Sequence, residues 1–317
     1  MQVKRISSEA SEDSISSYRP YTFEAFIGQE NTKKVLHSAI VASQKLDQTV
    51  WHILLSWQSG FGKTTLANIV AHQRKVGFKV ITAYAISKPA DMISLLNTLD
   101  SGDVLFIDEI HRLKPAVEEV LYIAMEDSCI DMVMPDGWTV RVPLDPFTLI
   151  GATTKMEALS TPLKNRFVYK FHLEQYTYDE KLLMVTYYLK HYSLKTSWEI
   201  LHSIAEHVVT VPREIVNFCH QVKDYLVSEY DLSEDPIELT GERWNSYLQR
   251  SKITKWWLTT LHQSYISVLR EADGNPVWLK TLSVKLGIHE KSIEDDVEPL
   301  LFELGKIEKT TRWRVLL

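Results

Sequence analysis

The chain has 317 residues, 45% of them hydrophobic and 24% charged, a balance ordinary for a globular protein and long enough for two or three domains. Its net charge of −6 excludes a protein that grips nucleic acid by overall charge, so any DNA contact must come from a local basic patch. Cys129 and Cys219 lie far apart without metal-ligand spacing, and neither a membrane-spanning run nor a secretory apolar stretch is present; a reducing, cytoplasmic setting with no membrane partner is expected.

Residues 1–18, rich in Ser and Glu and without periodicity, read as a flexible tail. Apolar spacing then predicts a helix over Asn31–Gln44, and His52–Ser56 reads as a buried strand. The next eight residues, Trp57-Gln58-Ser59-Gly60-Phe61-Gly62-Lys63-Thr64, match the phosphate-binding pattern G-x-x-x-x-G-K-[ST] at every position but the first. Thr64–Ala71 opens a helix, and strand, loop and helix in that order are the context the pattern requires. In such a loop, backbone N–H groups wrap a triphosphate, Lys63 meets the β- and γ-phosphates, and the Thr64 hydroxyl serves Mg²⁺. Trp57 stands where the opening glycine belongs, and a bulky residue at that turn is expected to cost roughly 1–3 kcal/mol of backbone strain.

A strand over Lys79–Ala85 and a helix over Ala90–Leu99 lead to Val104–Asp108, a doubly buried parallel strand that ends in Asp108 and Glu109. Asp108 is placed to hold Mg²⁺, and Glu109 to orient and activate the attacking water. A helix over Pro115–Asp127 carries proline at its start. Residues 130–145 break the alternation: Asp131–Met134 and Thr139–Val142 flank Pro135-Asp136-Gly137-Trp138, a hairpin signal. Its Met132 and Met134 either form an exposed docking element or cover a helix. Strands over Phe147–Thr153 and Val168–Leu173 complete an α/β unit with a parallel sheet, whose ligands belong beyond the carboxyl ends of the strands.

After Tyr176 the pattern is helical, over Tyr178–Tyr192, Trp198–Val209, Glu214–Val227 and Gly241–Arg250, with the acidic stretch Glu229–Glu238 read as a loop. A third unit begins near Ile253, with three helical segments and a strand pair over Ile307–Leu316. Helices followed by a basic hairpin suggest a winged helix-turn-helix, and Lys306, Lys309, Arg312 and Arg314 against a lone Glu308 form a local phosphate-binding footprint.

From about Arg19 to Arg314 the chain resembles the RuvB family of AAA+ motors, which drive branch migration of Holliday junctions. The resemblance is carried by Arg19-Pro20 with Phe26-Ile27-Gly28-Gln29, by Gly60–Leu66, Asp103–Leu113, Met125-Glu126-Asp127, Pro146–Thr154, Pro162–Phe167 and Pro212-Arg213, and by the winged-helix tail. It implies an ATPase that uses ATP and Mg²⁺, with an AAA+ P-loop domain over 19–176, a small helical domain over 177–250 and a winged-helix domain over 251–317. It places Arg19 and Ile27 beside the adenine, Gly60, Gly62, Lys63, Thr64 and Thr65 in the phosphate loop, and Glu126 and Asp127 among the nucleotide contacts. Thr154, or its neighbour Thr153, senses the γ-phosphate. Arg166 resembles the arginine finger that reaches a neighbouring subunit's ATP, Arg213 a second sensor, and Tyr176 a nucleotide-proximal tyrosine between two domains. Lys309, Arg312 and Arg314 fall in a segment similar to the family's DNA-binding wing R-T-P-R-G-R, with Lys309 in place of an arginine. The resemblance further implies a hexameric ring, a RuvA-like partner docked on hairpin 130–145, here shorter than usual, and a RuvC-like resolvase.

The tryptophans depart from that pattern. Trp57, Trp257, Trp278 and Trp313 each stand at a family glycine, and the chain holds 11 glycines against 9 tryptophans. Average usage would give about 22 glycines. Both facts fit a gene whose UGA codons mean glycine, rendered as tryptophan; Trp51 and Trp138 have weaker claims to the same origin. Two other functions compete with the motor: a replication-type AAA+ clamp loader or initiator, and a DNA-binding scaffold whose nucleotide pocket Trp57 blocks.

Overall fold

The structure, a computed structural model, describes residues 19–133, 137–208, 210–230, 236–251 and 258–317. The expected tail over 1–18, Met134, the Met132 side chain and Trp257 lie outside the described residues. The chain divides after Tyr176 into two compact units.

The first unit runs α1 (Glu30–Lys45), β1 (Ile53–Ser56), α2 (Lys63–Arg74), β2 (Phe78–Thr82), α3 (Pro89–Leu96), β3 (Val104–Asp108), α4 (Pro115–Asp127), β4 (Cys129–Val133), β5 (Thr139–Pro143), β6 (Thr148–Thr153), α5 (Thr161–Arg166) and β7 (Tyr169–His172). Five of its strands form a parallel sheet in the order β2-β3-β6-β1-β7. The three inner strands are the apolar runs of the sequence, buried on both faces by the helices, while the edge strand β2 leaves Val80 and Thr82 exposed. Gly151 in β6 is required by close packing: a Cβ there would lie 2.9 Å from Ile110 Cδ1 and 3.1 Å from Phe167 Cζ. The expected strand over Lys79–Ala85 stops at Thr82, which pairs with Asp108 where β3 itself ends; Ala83–Ala85 forms a 3₁₀ turn instead. The expected hairpin is present, β4 pairing antiparallel with β5 from Cys129↔Pro143 to Val133↔Thr139.

The second unit runs α6 (Tyr178–His191), β8 (Leu194–Thr196), α7 (Trp198–His207), α8 (Pro212–Glu229), β9 (Ile237–Leu239), α9 (Gly241–Ser251), α10 (Thr260–Glu271), β10 (Val277–Trp278), α11 (Leu279–Leu286), α12 (Glu290–Ser292), α13 (Glu298–Glu303), β11 (Ile307–Lys309) and β12 (Trp313–Leu316). All four helices expected after Tyr176 form, but β8 and β9 pair in parallel where no strands were expected. Three residues each are too few to show an alternation, and burial of Leu194, Ile237 and Leu239 holds them. Phe218, Trp244 and Tyr247 build an aromatic core between α8 and α9. At the end of the chain, β10-β12-β11 is an antiparallel sheet of three strands rather than the expected pair; Trp278 lies opposite Trp313 in its register. Tyr265, Leu269, Leu282, Ile293, Val297, Leu301 and Ile307 form the core under that wing.

Candidate nucleotide site and basic wing

The phosphate loop joins the carboxyl end of β1 to α2. Gly60 and Gly62 take φ of +87° and +91°, a region open to glycine at no steric cost. At Gly62 an added Cβ would lie 2.9 Å from the Phe26 ring. Lys63 starts α2 and is 6% exposed. Its ammonium donates to the Trp57 carbonyl at 2.8 Å and the Gln58 carbonyl at 2.7 Å, so the loop already curls around a cation. Thr64 and Thr65 occupy the first turn of α2.

Trp57 overturns the expected strain. It is not among the residues of positive φ, so its backbone is one that any L-residue adopts. Its indole packs edge-on against His172, with ring centres 4.6 Å apart, and against Phe61 at 5.9 Å, while the buried Nε1 has no acceptor among the described residues. The cost of tryptophan here is therefore an orphaned donor, about 1–3 kcal/mol, and not a twisted chain. Trp278 is likewise in extended backbone (φ −72°, ψ 143°), and Trp313 is not at positive φ.

Because β6 lies between β1 and β3, its carboxyl end falls between the loop and the acidic pair. Asp108 closes β3, and Glu109 follows with φ +51°. The Glu109 carboxylate accepts from the Thr154 hydroxyl at 2.9 Å, and its Oε2 lies 3.2 Å from His111 Nδ1. Thr153 is fully buried, its hydroxyl engaged with His111 Nδ1 at 2.9 Å and the Lys155 N–H at 3.0 Å. Of the two candidate sensors, Thr154 is the exposed one.

Tyr176 is buried, stacks on Phe61 with ring centres 5.7 Å apart, and donates its hydroxyl to the Phe61 carbonyl at 3.2 Å. Ile27 is half-buried beside Phe26, and Arg19 is exposed. Gln29 clamps the segment before α1 to the end of β7: its Nε2 donates to the Glu174 carbonyl at 2.6 Å and its Oε1 accepts from the Glu174 N–H at 2.9 Å. Phe26, Gln29, Phe61 and His172 were missed as individual residues, although the first three lie inside the quoted motifs.

Other expected residues lie in separate groupings. Arg166 ends α5 and donates to Glu126 at 2.6 Å, and Asp127 pairs with Arg141 of the hairpin at 3.4 Å. Arg213 is exposed in the first turn of α8, in the second unit.

The wing requires a correction. Arg314, expected on DNA, is 1% exposed and grips the fully buried Glu298 through Nε at 2.6 Å and Nη2 at 3.1 Å, with Glu294 at 3.0 Å. Lys309 and the Tyr265 hydroxyl also donate to Glu298, at 3.2 and 3.1 Å. Burial pushes the Glu298 carboxyl up, but the Arg314 fork with Lys309 and Tyr265 more than offsets it and holds the group below the ordinary carboxylate range. Arg314 is a core ion pair. Sequence spacing shows the basic residues of the wing but not an acid on α13 folded beneath them. Arg312 is the exposed arginine of the three expected DNA contacts.

Comparison with known proteins fits this geometry. The family model for the Holliday junction DNA helicase RuvB P-loop domain matches residues 18–173, and that for the RuvB C-terminal winged helix domain matches 255–316. The Holliday junction branch migration complex subunit RuvB of Campylobacter jejuni is 36% identical over 303 residues, covering 95% of this chain and 89% of the relative. The Campylobacter lari protein of that name gives the same figures: 36% identity, with 95% and 89% covered. The Thermotoga maritima RuvB Holliday junction branch migration motor superposes with a TM-score of 0.77 at 32% identity, covering 95% of each chain. A phosphate loop, an acidic strand and a terminal wing matched in order along nearly the whole length leave no place for the clamp-loader reading, and the chain belongs to the RuvB family.

Proposed function

We propose that this chain is the ATP-hydrolysing motor subunit that drives branch migration of Holliday junctions in recombination and DNA repair. The observation that carries the reading is Lys63, buried inside the phosphate loop with its ammonium donating to the Trp57 and Gln58 carbonyls. A polyphosphate takes such a cation readily, because it replaces neutral acceptors with charged ones.

Each residue then has a task. Lys63 transfers from the Trp57 and Gln58 carbonyls to the β- and γ-phosphates, and the N–H groups of the loop and of the first turn of α2 cradle the phosphate oxygens. The Thr64 hydroxyl and the Asp108 carboxylate would hold Mg²⁺. Two protein oxygens without a preformed cage suit an ion that keeps phosphate and water ligands, and the described residues contain no cluster of three metal-ligating side chains. Bound there, Mg²⁺ supplies positive charge against the phosphate oxygens. Glu109 orients the attacking water and accepts its proton, while Thr154 reports the γ-phosphate through the same carboxylate. Arg166 stabilises the charge developing on the γ-phosphoryl oxygens of a neighbouring subunit, and Glu126 and Asp127 lie on that face. Arg19, Ile27 and Tyr176 frame the adenine side, and Arg213 acts as the second sensor from the small helical domain, 177–250.

The same reading assigns a hexameric ring, a RuvA-like partner on hairpin 130–145, and a RuvC-like resolvase downstream. Trp138, 74% exposed, and Val140, 46% exposed, give the hairpin an apolar outer surface suited to docking. A cytoplasmic setting accords with two free, buried cysteines and with no described helix long and apolar enough to cross a membrane. The winged-helix domain, 251–317, meets DNA through exposed cations such as Arg312.

Two measurements test this. Purified chain with ATP, Mg²⁺, the junction-binding partner and a synthetic four-way junction should move the branch point; ATP turnover without any movement of branched DNA would end the motor assignment. Trp57→Gly should hydrolyse ATP faster than the chain with Trp57, since it removes the indole and its unsatisfied donor from the loop; equal turnover would show that the first loop position is immaterial. If the tryptophans are recoded glycines, the gene carries UGA at 57, 257, 278 and 313, and UGG there refutes the recoding.

A further inference from the structure

Arg166 is held loosely and on a prepared surface. Among the described residues Nη2 makes one charged contact, with Glu126 at 2.6 Å, Nη1 donates to the Pro162 carbonyl at 3.3 Å, and the buried Nε has no acceptor. A guanidinium offers five donors in a planar fork, so this one is well short of saturated. Its Glu126 partner is 61% exposed, and an ion pair so open to water contributes little.

The surface beneath is built more firmly. The guanidinium carbon lies 5.3 Å from the centre of the Tyr122 ring. The Tyr122 hydroxyl is 2.5 Å from Glu118 Oε2 and 2.7 Å from Ser160 Oγ, and Ser160 donates to that same Glu118 oxygen at 2.6 Å. Ser160 also caps α5, the helix that ends in Arg166, by accepting from the Leu163 N–H at 3.3 Å. Glu118 is 7% exposed, so a buried carboxylate ties the ring of α4 to the cap of α5. An aromatic face attracts a cation without occupying its in-plane N–H donors. It can therefore keep the guanidinium oriented while the anion in front changes.

We propose that Tyr122, fixed by Glu118 and Ser160, is a positioning residue for Arg166, and that Glu126 stows the guanidinium until a phosphate of the neighbouring subunit's nucleotide displaces it. This rests on the reading of Arg166 as a cation acting in trans. Glu126 is thereby a competitor of the phosphate for Arg166 and not a nucleotide contact.

Steady-state ATP hydrolysis by the full-length chain under ring-forming conditions tests it, with thermal melting in parallel. Tyr122→Leu should lower kcat on the order of 10- to 100-fold with little change in KM, as expected for a misaimed group. Tyr122→Phe, which keeps the ring but loses the hydroxyl that anchors it to Glu118 and Ser160, should fall between the parent and Tyr122→Leu. Glu126→Gln should lower the KM for ATP without lowering kcat, because the stow is weakened. If Tyr122→Leu matched the parent in kcat, or if Tyr122→Phe lost as much as Leu, the positioning role would be overturned. A raised KM in Glu126→Gln would assign its carboxylate to the nucleotide and overturn the stow. Arg166→Ala separates the two layers: normal turnover there removes the trans-acting cation itself, whereas a loss there beside an unaffected Tyr122→Leu removes only the inference drawn from the surface.

Discussion

Lys63 and Arg314 are both buried cations, 6% and 1% exposed, and they are held in opposite ways. In the phosphate loop the ammonium rests on two backbone carbonyls, neutral acceptors that a phosphate outbids. In the wing the guanidinium is forked onto a carboxylate that is itself fully buried. The first arrangement keeps a cation ready for exchange; the second locks it, because withdrawing it would strand a charge in a dry site. A basic residue in a functional motif is thus not by itself a ligand contact. The acceptor that holds it decides.

The largest test of this contrast is at the loop. Lys63→Ala should abolish nucleotide binding while the fold survives, since the Trp57 and Gln58 carbonyls it leaves behind are neutral; Glu109→Gln should keep binding and lower turnover by about 10²- to 10⁴-fold. Binding measured by a fluorescent nucleotide beside steady-state hydrolysis separates the two. Normal turnover in Glu109→Gln would move the water-activating role elsewhere.

In the wing, Arg314→Ala should leave Glu298 with Lys309 and Tyr265 alone and cost about 3–5 kcal/mol of stability. Denaturant melting of the full chain reads this as an early transition. Stability unchanged from the parent, with only DNA affinity lost, would return Arg314 to the DNA.

A third, half-buried base sharpens the contrast from the other side. His52 precedes β1, accepts the Leu149 N–H on Nδ1 at 2.9 Å and lies 3.3 Å through Nε2 from the Met125 carbonyl. No acid among the described residues pairs with it, and burial pushes its pKa down to about 4, only partly countered by the Met125 carbonyl. Below pH 6.5 the unfolded chain binds a proton that the folded chain refuses, so stability falls as pH drops from about 6.5 towards 4, by up to roughly 3 kcal/mol. His52→Gln should flatten that acid limb in melting against pH, and an unaltered limb would mean that other groups set it.

The smallest effect is expected at Arg312, exposed and able to reach a phosphate without leaving an acid behind. Arg312→Ala should weaken DNA binding modestly, reduce the salt slope by about one and leave melting unchanged. If the salt slope stays put, the wing's contact lies elsewhere, Lys306 being another exposed cation.

Much of the first unit was legible because its signals are local. Val104–Asp108 and Pro115–Asp127 have the same limits in sequence and structure, the one a continuous apolar run, the other opened by its proline. The phosphate loop reads from eight consecutive residues. What was not legible depends on distant partners. β8 and β9, three residues each, exist through burial and each other. Arg314 was misread because Glu298 reaches it from sixteen positions upstream, from another element. Trp57 was misread differently: the rule that glycine frees a turn is sound, but this turn places its positive φ at Gly60 and Gly62.

Tyr176 closes the first unit and touches the phosphate loop through its stack on Phe61 and the bond from its hydroxyl to the Phe61 carbonyl. Two residues earlier, Glu174 is pinned by Gln29, so the chain's exit has one anchored point and one point that answers to the loop. The residue after Tyr176 is Thr177, which caps α6. A rotation of the loop's peptide groups as they turn towards phosphate would therefore be felt at Tyr176 against a fixed Glu174, within the first unit. Gln29 is in this sense the fulcrum of the first unit's last residues, and Tyr176 the arm that moves about it.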